Sequence, residues 1–90
     1  VVTSAWKTAM FIDGNKSQLA RDAASGQGET LDALAALLKI DAQDKAAFVS
    51  LTKARHAEIF ASVDSTETIA TQLKAALQSD ARLAKYADAV

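Results

Sequence analysis

Alanine dominates this chain: 21 of its 90 residues are alanine, and none is proline. Alanine has the highest helix propensity and loses no side-chain entropy on folding, whereas proline interrupts a helix. No segment keeps up the alternation of apolar and polar residues that a half-buried strand requires. The sequence therefore predicts an all-α protein, a compact bundle of five or six short helices joined by short connections.

The core available to such a bundle is small. Hydrophobic residues make up 50% of the chain, but only 24 of them are larger than alanine. A chain of this length forms one domain and buries about 60–65% of its unfolded surface. We therefore expect a single helical domain over residues 1–90, in which alanine lets helices approach closely and an apolar face stays free for a partner.

Charge and composition exclude several classes of protein. Ten basic and 11 acidic residues give a net charge of −1, which argues against a nucleic-acid binder that works by neutralising phosphates. The absence of cysteine rules out disulfides and cysteine-based metal sites. No apolar run approaches the roughly 18 residues of a membrane span. No motif for a metal or a cofactor is present, and we expect neither.

Periodicity and capping residues place the helices. Apolar residues recur at helical spacing in several segments. The segments are separated by polar or glycine-containing breaks near residues 13–15, 25–29, 39–41, 62–65 and 79–80. The stretch between the first two breaks is either a second helix or a continuation of the first beyond a kink. The helix over about 42–61 is expected to be the longest, and Asp64 and Glu67 have capping-box spacing at the start of the next one.

Four segments of the sequence carry a resemblance to a known family. They are Leu19-Ala20-Arg21-Asp22, Gly26-Gln27-Gly28-Glu29, Glu58-Ile59-Phe60 and Leu83-Ala84-Lys85-Tyr86. With the residues around them they resemble, over residues 11–86, an uncharacterised family of exported bacterial proteins known as domain of unknown function number 3015. The resemblance implies export by a signal peptide already removed, and a periplasmic or cell-surface location. It implies no catalytic residues.

The turn Gly26–Glu29 is the first candidate site, because backbone N–H groups at a helix start can hold an anion. A P-loop would need Lys-Ser/Thr after its second glycine, and a dinucleotide site would need GxGxxG after a strand; both are missing. A tight helix–helix turn, with Glu29 complementing the next helix dipole, is the simpler interpretation. The alternative is a small-ligand or enzymatic site. Its residues would be Gly26, Gln27, Gly28, Glu29, Arg55 and His56.

Arg55 belongs to that alternative because of its position in the long helix predicted around it. On a continuous helix it falls near the centre of the apolar stripe that Phe48 and Ile59 define. A charged group there must reach solvent, form a pair or face a partner. If the glycine-rich turn folds over this helix, Asp22 and Glu29 are its natural partners.

The other ionisable residues form no recognisable catalytic or metal-binding set. His56 is the sole histidine and has no second ligand or nucleophile at a suitable spacing, so we expect a histidine packed in the core or at its rim. The acidic residues are scattered and include no calcium-loop pattern. Asp22 and Asp32 fall on polar helix faces, where we expect ordinary solvated carboxylates.

Apolar residues near the start of the chain supply a second candidate site. Val2, Trp6 and Met10 are spaced by four and share one helix face, with Phe11 beside them. Such a stripe is either core or an interface anchor, and tryptophan is enriched at binding hot spots. We predict Trp6, Met10 and Phe11 as interface residues. The leading hypothesis is a non-enzymatic exported domain that contacts a protein partner or a second copy, as an accessory or assembly subunit.

Overall fold

The computed structural model describes residues 3–90, and it confirms the predicted fold class. Every regular element in that range is a helix. Five α-helices, α1 to α5 in chain order, span Ser4–Ser25, Glu29–Leu37, Ala42–Ala54, His56–Ile59 and Thr66–Gln78. A 3₁₀ helix, called the C-terminal helix below, spans Ala84–Ala89. Val2 of the predicted stripe lies outside the described residues.

α1 is the longest helix, and it runs through the first predicted break. The Thr3 hydroxyl caps it by accepting a hydrogen bond from the Trp6 N–H at 3.0 Å. Only Asn15 leaves the helical conformation (φ −136°, ψ 23°), and its side-chain amide donates to the Phe11 carbonyl at 2.9 Å. The asparagine thus supplies a donor where the helix bends, so one kinked helix is the correct alternative.

α2 ends in a Schellman motif that is built on a lysine. The N–H of Ile40 donates to the Ala35 carbonyl and that of Lys39 to the Ala36 carbonyl, both at 3.0 Å. Lys39 has a φ of 59°, in the left-handed region. Glycine is the usual residue at this position because it has no Cβ to clash there.

The prediction of one helix over residues 42–61 is wrong. α3 ends at Ala54, and Arg55 adopts a non-helical φ of −101° and ψ of 15°. α4 then restarts as a single turn, with the Ile59 N–H bonded to the Arg55 carbonyl at 2.9 Å. Ile59 is nevertheless buried with Phe48, as the helical wheel predicts, and His56 reaches the Ala20 carbonyl of α1.

The start of α5 also differs by one residue from the sequence-based expectation. Ser65, not Asp64, is the N-cap, and its hydroxyl accepts from the Thr68 N–H at 3.1 Å. The capping box predicted for Asp64 and Glu67 is therefore wrong. Ser65 also has the extended backbone conformation (φ −106°, ψ 104°) that is typical of an N-cap residue.

One cluster of buried side chains receives residues from all six helices. Its members are Ile12, Leu19, Leu31, Leu34, Ala35, Leu38, Phe48, Ile59, Ile69, Leu73, Ala76, Leu77, Leu83, Tyr86 and Ala87. The limited apolar content of the chain is therefore concentrated in a shared core. None of the helices over residues 3–90 is long and apolar enough to cross a membrane.

Candidate functional site

The turn Gly26–Glu29 encloses a carboxylate that belongs to the chain itself. Asp22, in the last turn of α1, is only 6% exposed. Its Oδ2 accepts from the backbone N–H groups of Thr30 at 3.0 Å and Leu31 at 3.1 Å. Its Oδ1 accepts from the Gln18 side-chain amide at 2.9 Å. Asp22 therefore caps α2 from the neighbouring helix and places its negative charge at the positive end of the α2 dipole.

Two glycines make this arrangement possible. Gly26 ends α1 with a left-handed φ of 76°, which turns the chain back toward α2. Gly28 is the N-cap of α2, where it has no side chain to form the cap, and its φ is 142°. A Cβ on Gly28 would overlap the carboxyl group of Asp22. The bare Cα of Gly28 is thus what allows Asp22 to reach the amides of α2.

The expectation that Asp22 is a solvated acid is wrong. A helical wheel of α1 cannot show that the following turn folds back over this residue. The N–H groups that an external anion would use at the start of α2 are bonded to Asp22. Gln27 and Glu29 are exposed. The small-ligand site at this turn therefore stays a prediction, and no contact in the described residues supports it.

Arg55 does not join the glycine-rich turn. Its guanidinium forms an ion pair with Glu58 at 3.2 Å and donates to the Ser79 hydroxyl at 3.4 Å. The prediction that Arg55 pairs with Asp22 or Glu29 is therefore wrong. Because α3 ends at this residue, the side chain leaves the apolar stripe and is 41% exposed.

His56 lies in a packed position at the rim of the core, as the sequence predicts. Its Nε2 lies 2.9 Å from the Ala20 carbonyl of α1, and its ring centroid is 5.2 Å from that of Phe60. A carbonyl oxygen only accepts, so Nε2 carries the proton in this contact. His56 therefore connects α4 to α1. It shares no contact partner with Arg55, which bonds to Glu58 and Ser79. Residues 3–90 hold no group of three or more side chains suited to bind a metal.

The residues predicted as an interface are divided between surface and core. Trp6 is 53% and Met10 52% exposed, whereas Phe11 is half-buried and packs against the core. At 100° per residue, Trp6 and Met10 lie roughly opposite the buried Thr8 on α1. The Thr8 hydroxyl donates to the Ala89 carbonyl at 2.6 Å, which orients this face of α1 toward the C-terminal helix. We call Trp6 and Met10 the outer face of α1.

A second carboxylate, that of Asp44, is buried, and the sequence did not predict its role. Asp44 is 4% exposed and accepts from the Tyr86 hydroxyl at 2.6 Å. Lys85 Nζ lies 3.3 Å and Arg82 Nε 3.8 Å from its oxygens. We call Asp44, Arg82, Lys85 and Tyr86 the Asp44 group. No periodic pattern in the sequence predicts this group, because Asp44 lies on α3 and the other members lie in or just before the C-terminal helix. The adjacent basic residues and tyrosine at 82–86 are the only hint, and they have no partner until the chain folds.

The contacts of Asp44 shift the pKa values of the group. The hydrogen bond from Tyr86, followed by the ion pairs with Lys85 and Arg82, holds the pKa of Asp44 below its ordinary value, although burial opposes this. The same hydrogen bond, with burial, raises the pKa of Tyr86. Asp44 also raises the pKa of Lys85. Across the neutral pH range Asp44 therefore stays anionic, Lys85 cationic and Tyr86 a neutral phenol.

The sequence matches the family described as "Protein of unknown function (DUF3015)" over residues 1–87. The chain belongs to this family. The match confirms the resemblance inferred from the four segments. A search of curated proteins and a search of solved structures returned no match.

In this DUF3015 domain, two of the segments that carry the resemblance meet in one contact. Asp22 ends the first, and Gly28 lies within the second. The carboxylate fits against the glycine Cα and caps the helix that follows. These two segments thus build the α1–α2 junction.

Proposed function

We propose that this chain is a non-enzymatic domain of an exported bacterial protein that acts by binding another protein, as an accessory or assembly subunit. The observation that carries the proposal is the outer face of α1. Trp6 and Met10 are two of the three large apolar side chains that are exposed among the described residues; the third is Val63. Export, and a periplasmic or cell-surface location, rest on the resemblance of the sequence segments.

The physical argument concerns the use of apolar residues in a small domain. Burying a large apolar side chain stabilises a fold by about 1.5–3 kcal/mol. This chain has few such residues, and most of those among the described residues lie in or against the core. A tryptophan and a methionine on the outside of the longest helix are therefore available to a partner. Tryptophan anchors hot spots, and methionine adapts to irregular surfaces.

The groups that could do chemistry are engaged in joining helices. Asp22 caps α2, Asp44 holds Tyr86, and His56 donates to the Ala20 carbonyl. Each contact links two elements, so each of these side chains has a structural role. This distribution supports a binding domain over an enzyme.

Trp6 supplies a direct test because it is the only tryptophan. A photo-reactive amino acid at position 10 should cross-link a specific protein in the native cell envelope, whereas one at exposed position 71 should not. With the purified partner, Trp6 fluorescence should shift to the blue as the indole is covered. Trp6→Ala should weaken binding about 30-fold, as expected for a hot spot worth about 2 kcal/mol.

Val63→Ser is the matched control, since Val63 is the third exposed apolar residue. It should leave the affinity within about twofold, a change that corresponds to less than 0.5 kcal/mol. Equal losses for both variants, or unchanged binding by Trp6→Ala, would contradict the proposal. Sedimentation separates a heterologous partner from a second copy, because only self-association makes the mass of the isolated domain depend on concentration.

A further inference from the structure

An open pocket of about 400 Å³ lies between the first turn of α1, the α2–α3 connection and the C-terminal helix. Its lining residues are Ser4, Leu38, Lys39, Asp41, Lys85, Tyr86, Asp88 and Ala89. This volume is within the range of small-molecule sites, which are mostly apolar with a few polar groups. The pocket is distinct from the glycine-rich turn and from the outer face of α1.

Lys39 lines this pocket in a strained conformation. Its φ of 59° is unfavourable for any residue that has a Cβ, and glycine would occupy the position without strain. Strained residues persist where the surrounding structure holds them, and they cluster at ligand sites. A lysine therefore lines the pocket at a position where glycine would make the helix end more stable.

Lys85, whose side chain is exposed, is positioned on another wall by contacts with the buried residues Asp44 and Tyr86. Its Nζ lies 3.3 Å from the Asp44 carboxylate and 5.3 Å from the centroid of the Tyr86 ring. The Tyr86 hydroxyl donates to Asp44 and accepts from the Asp41 N–H at 3.1 Å. This wall is therefore organised before any ligand arrives, which lowers the entropic cost of binding.

The charges of the lining balance. The lining contains two basic residues, Lys39 and Lys85, and two exposed acidic residues, Asp41 and Asp88. Ala89, which is partly exposed, adds apolar surface, and Leu38, which is 3% exposed, contributes only its edge. An anion would meet the carboxylates and a cation would meet the ammonium groups, whereas a ligand with both charges satisfies each set.

We infer that this pocket binds a small zwitterion with an apolar side chain, of the size and chemistry of a free amino acid. The ligand carboxylate pairs with Lys39 and Lys85, and its ammonium group pairs with Asp41 and Asp88. The apolar side chain lies over Ala89. This site is independent of the protein contact proposed above, because it does not use Trp6 or Met10.

The test is an NMR titration of the whole chain with three molecules of matched shape. Leucine carries both charges, 4-methylpentanoate only the negative one, and 3-methylbutylamine only the positive one. Leucine should shift the backbone amides of residues 38–41 and 84–89 at millimolar concentration. Each singly charged analogue should bind about threefold to fivefold more weakly, as expected for the loss of exposed ion pairs.

Lys39→Gly is the decisive variant, because it removes the ammonium group while relieving the strain at that residue. It should unfold at a higher temperature and yet bind leucine about threefold to fivefold more weakly. Lys7→Met, a change at an exposed lysine outside the pocket lining, should leave binding unchanged. Equal affinity for leucine and 4-methylpentanoate, or no shifts confined to these amides, would overturn the inference.

Discussion

At the scale of single residues, the α1–α2 junction depends on one carboxylate. Asp22→Ala should lower the free energy of unfolding by about 1–3 kcal/mol, because the N–H groups of Thr30 and Leu31 lose their acceptor. Urea unfolding measures the loss, and added formate should restore part of it by occupying the vacated site. Asp32→Ala, at an exposed acid paired with Lys45, should change stability by less than about 0.5 kcal/mol. Equal losses would contradict the role of Asp22.

Two glycines should respond in opposite directions to the same substitution. Gly28→Ala should destabilise the domain by more than about 1 kcal/mol, because the added Cβ meets Asp22 and the φ of 142° suits only glycine. Gly14→Ala should stabilise it by about 0.4–1 kcal/mol, since Gly14 is helical and its Cβ would enter open space. Thermal unfolding of the two variants decides. A loss at both positions would show that the α1 kink also needs its glycine.

At the scale of elements, Asp44 fastens the C-terminal helix to α3, and this attachment should depend on pH. The folded pKa of Asp44 lies below 3.8, so its contribution is present above the ordinary carboxyl pKa and is lost as pH falls through the lowered value. The folded pKa of Tyr86 lies above 10.0, so its contribution is present below that value and is lost as pH rises through the raised one. Stability should therefore fall at both extremes.

Asp44→Asn isolates this group. The variant should be less stable than the wild type at neutral pH. It should also lose less stability as the pH falls from about 5 into the strongly acidic range, because the carboxylate whose pKa is lowered by folding has been removed. Unfolding free energies measured across this pH range test the slope. Asp41→Asn is the control, since Asp41 is exposed and contacts Tyr86 only through its backbone. An unchanged acid slope in Asp44→Asn would refute the assignment.

Among the elements themselves, local signals predicted most helices but not the break at Arg55. The N-cap at Thr3 and the glycine-rich turn at 26–28 are properties of neighbouring residues, so they were visible in the sequence. The residues around Arg55 contain neither proline nor glycine. The helix ends there while Ile59 enters the core and His56 bonds to the Ala20 carbonyl. Those contacts come from helices distant in the sequence.

At the scale of the whole molecule, the outer face of α1 should contribute little to the free energy of unfolding, in contrast to the core. Trp6→Ala should change the unfolding free energy of the isolated domain by less than about 0.5 kcal/mol, as expected for an exposed position. Phe48→Ala should lower it by about 3–5 kcal/mol, because Phe48 is fully buried. Equilibrium denaturation compares the two. A comparable loss for Trp6→Ala would assign this residue to the fold rather than to a partner.

Alanine content, the spacing of apolar residues and the two capping hydroxyls at Thr3 and Ser4 determined that this chain is helical and, to within one residue, where its first helix begins, because those signals act within one or two helical turns. The family could also be recognised from its segments. Only the tertiary structure decided that Asp22 is buried, that Arg55 leaves the apolar stripe, and that Asp44 pairs with Tyr86, 42 positions away. A contact between distant residues leaves no periodic trace in either segment. The sequence therefore predicts the helices, and the contacts between them require the folded chain.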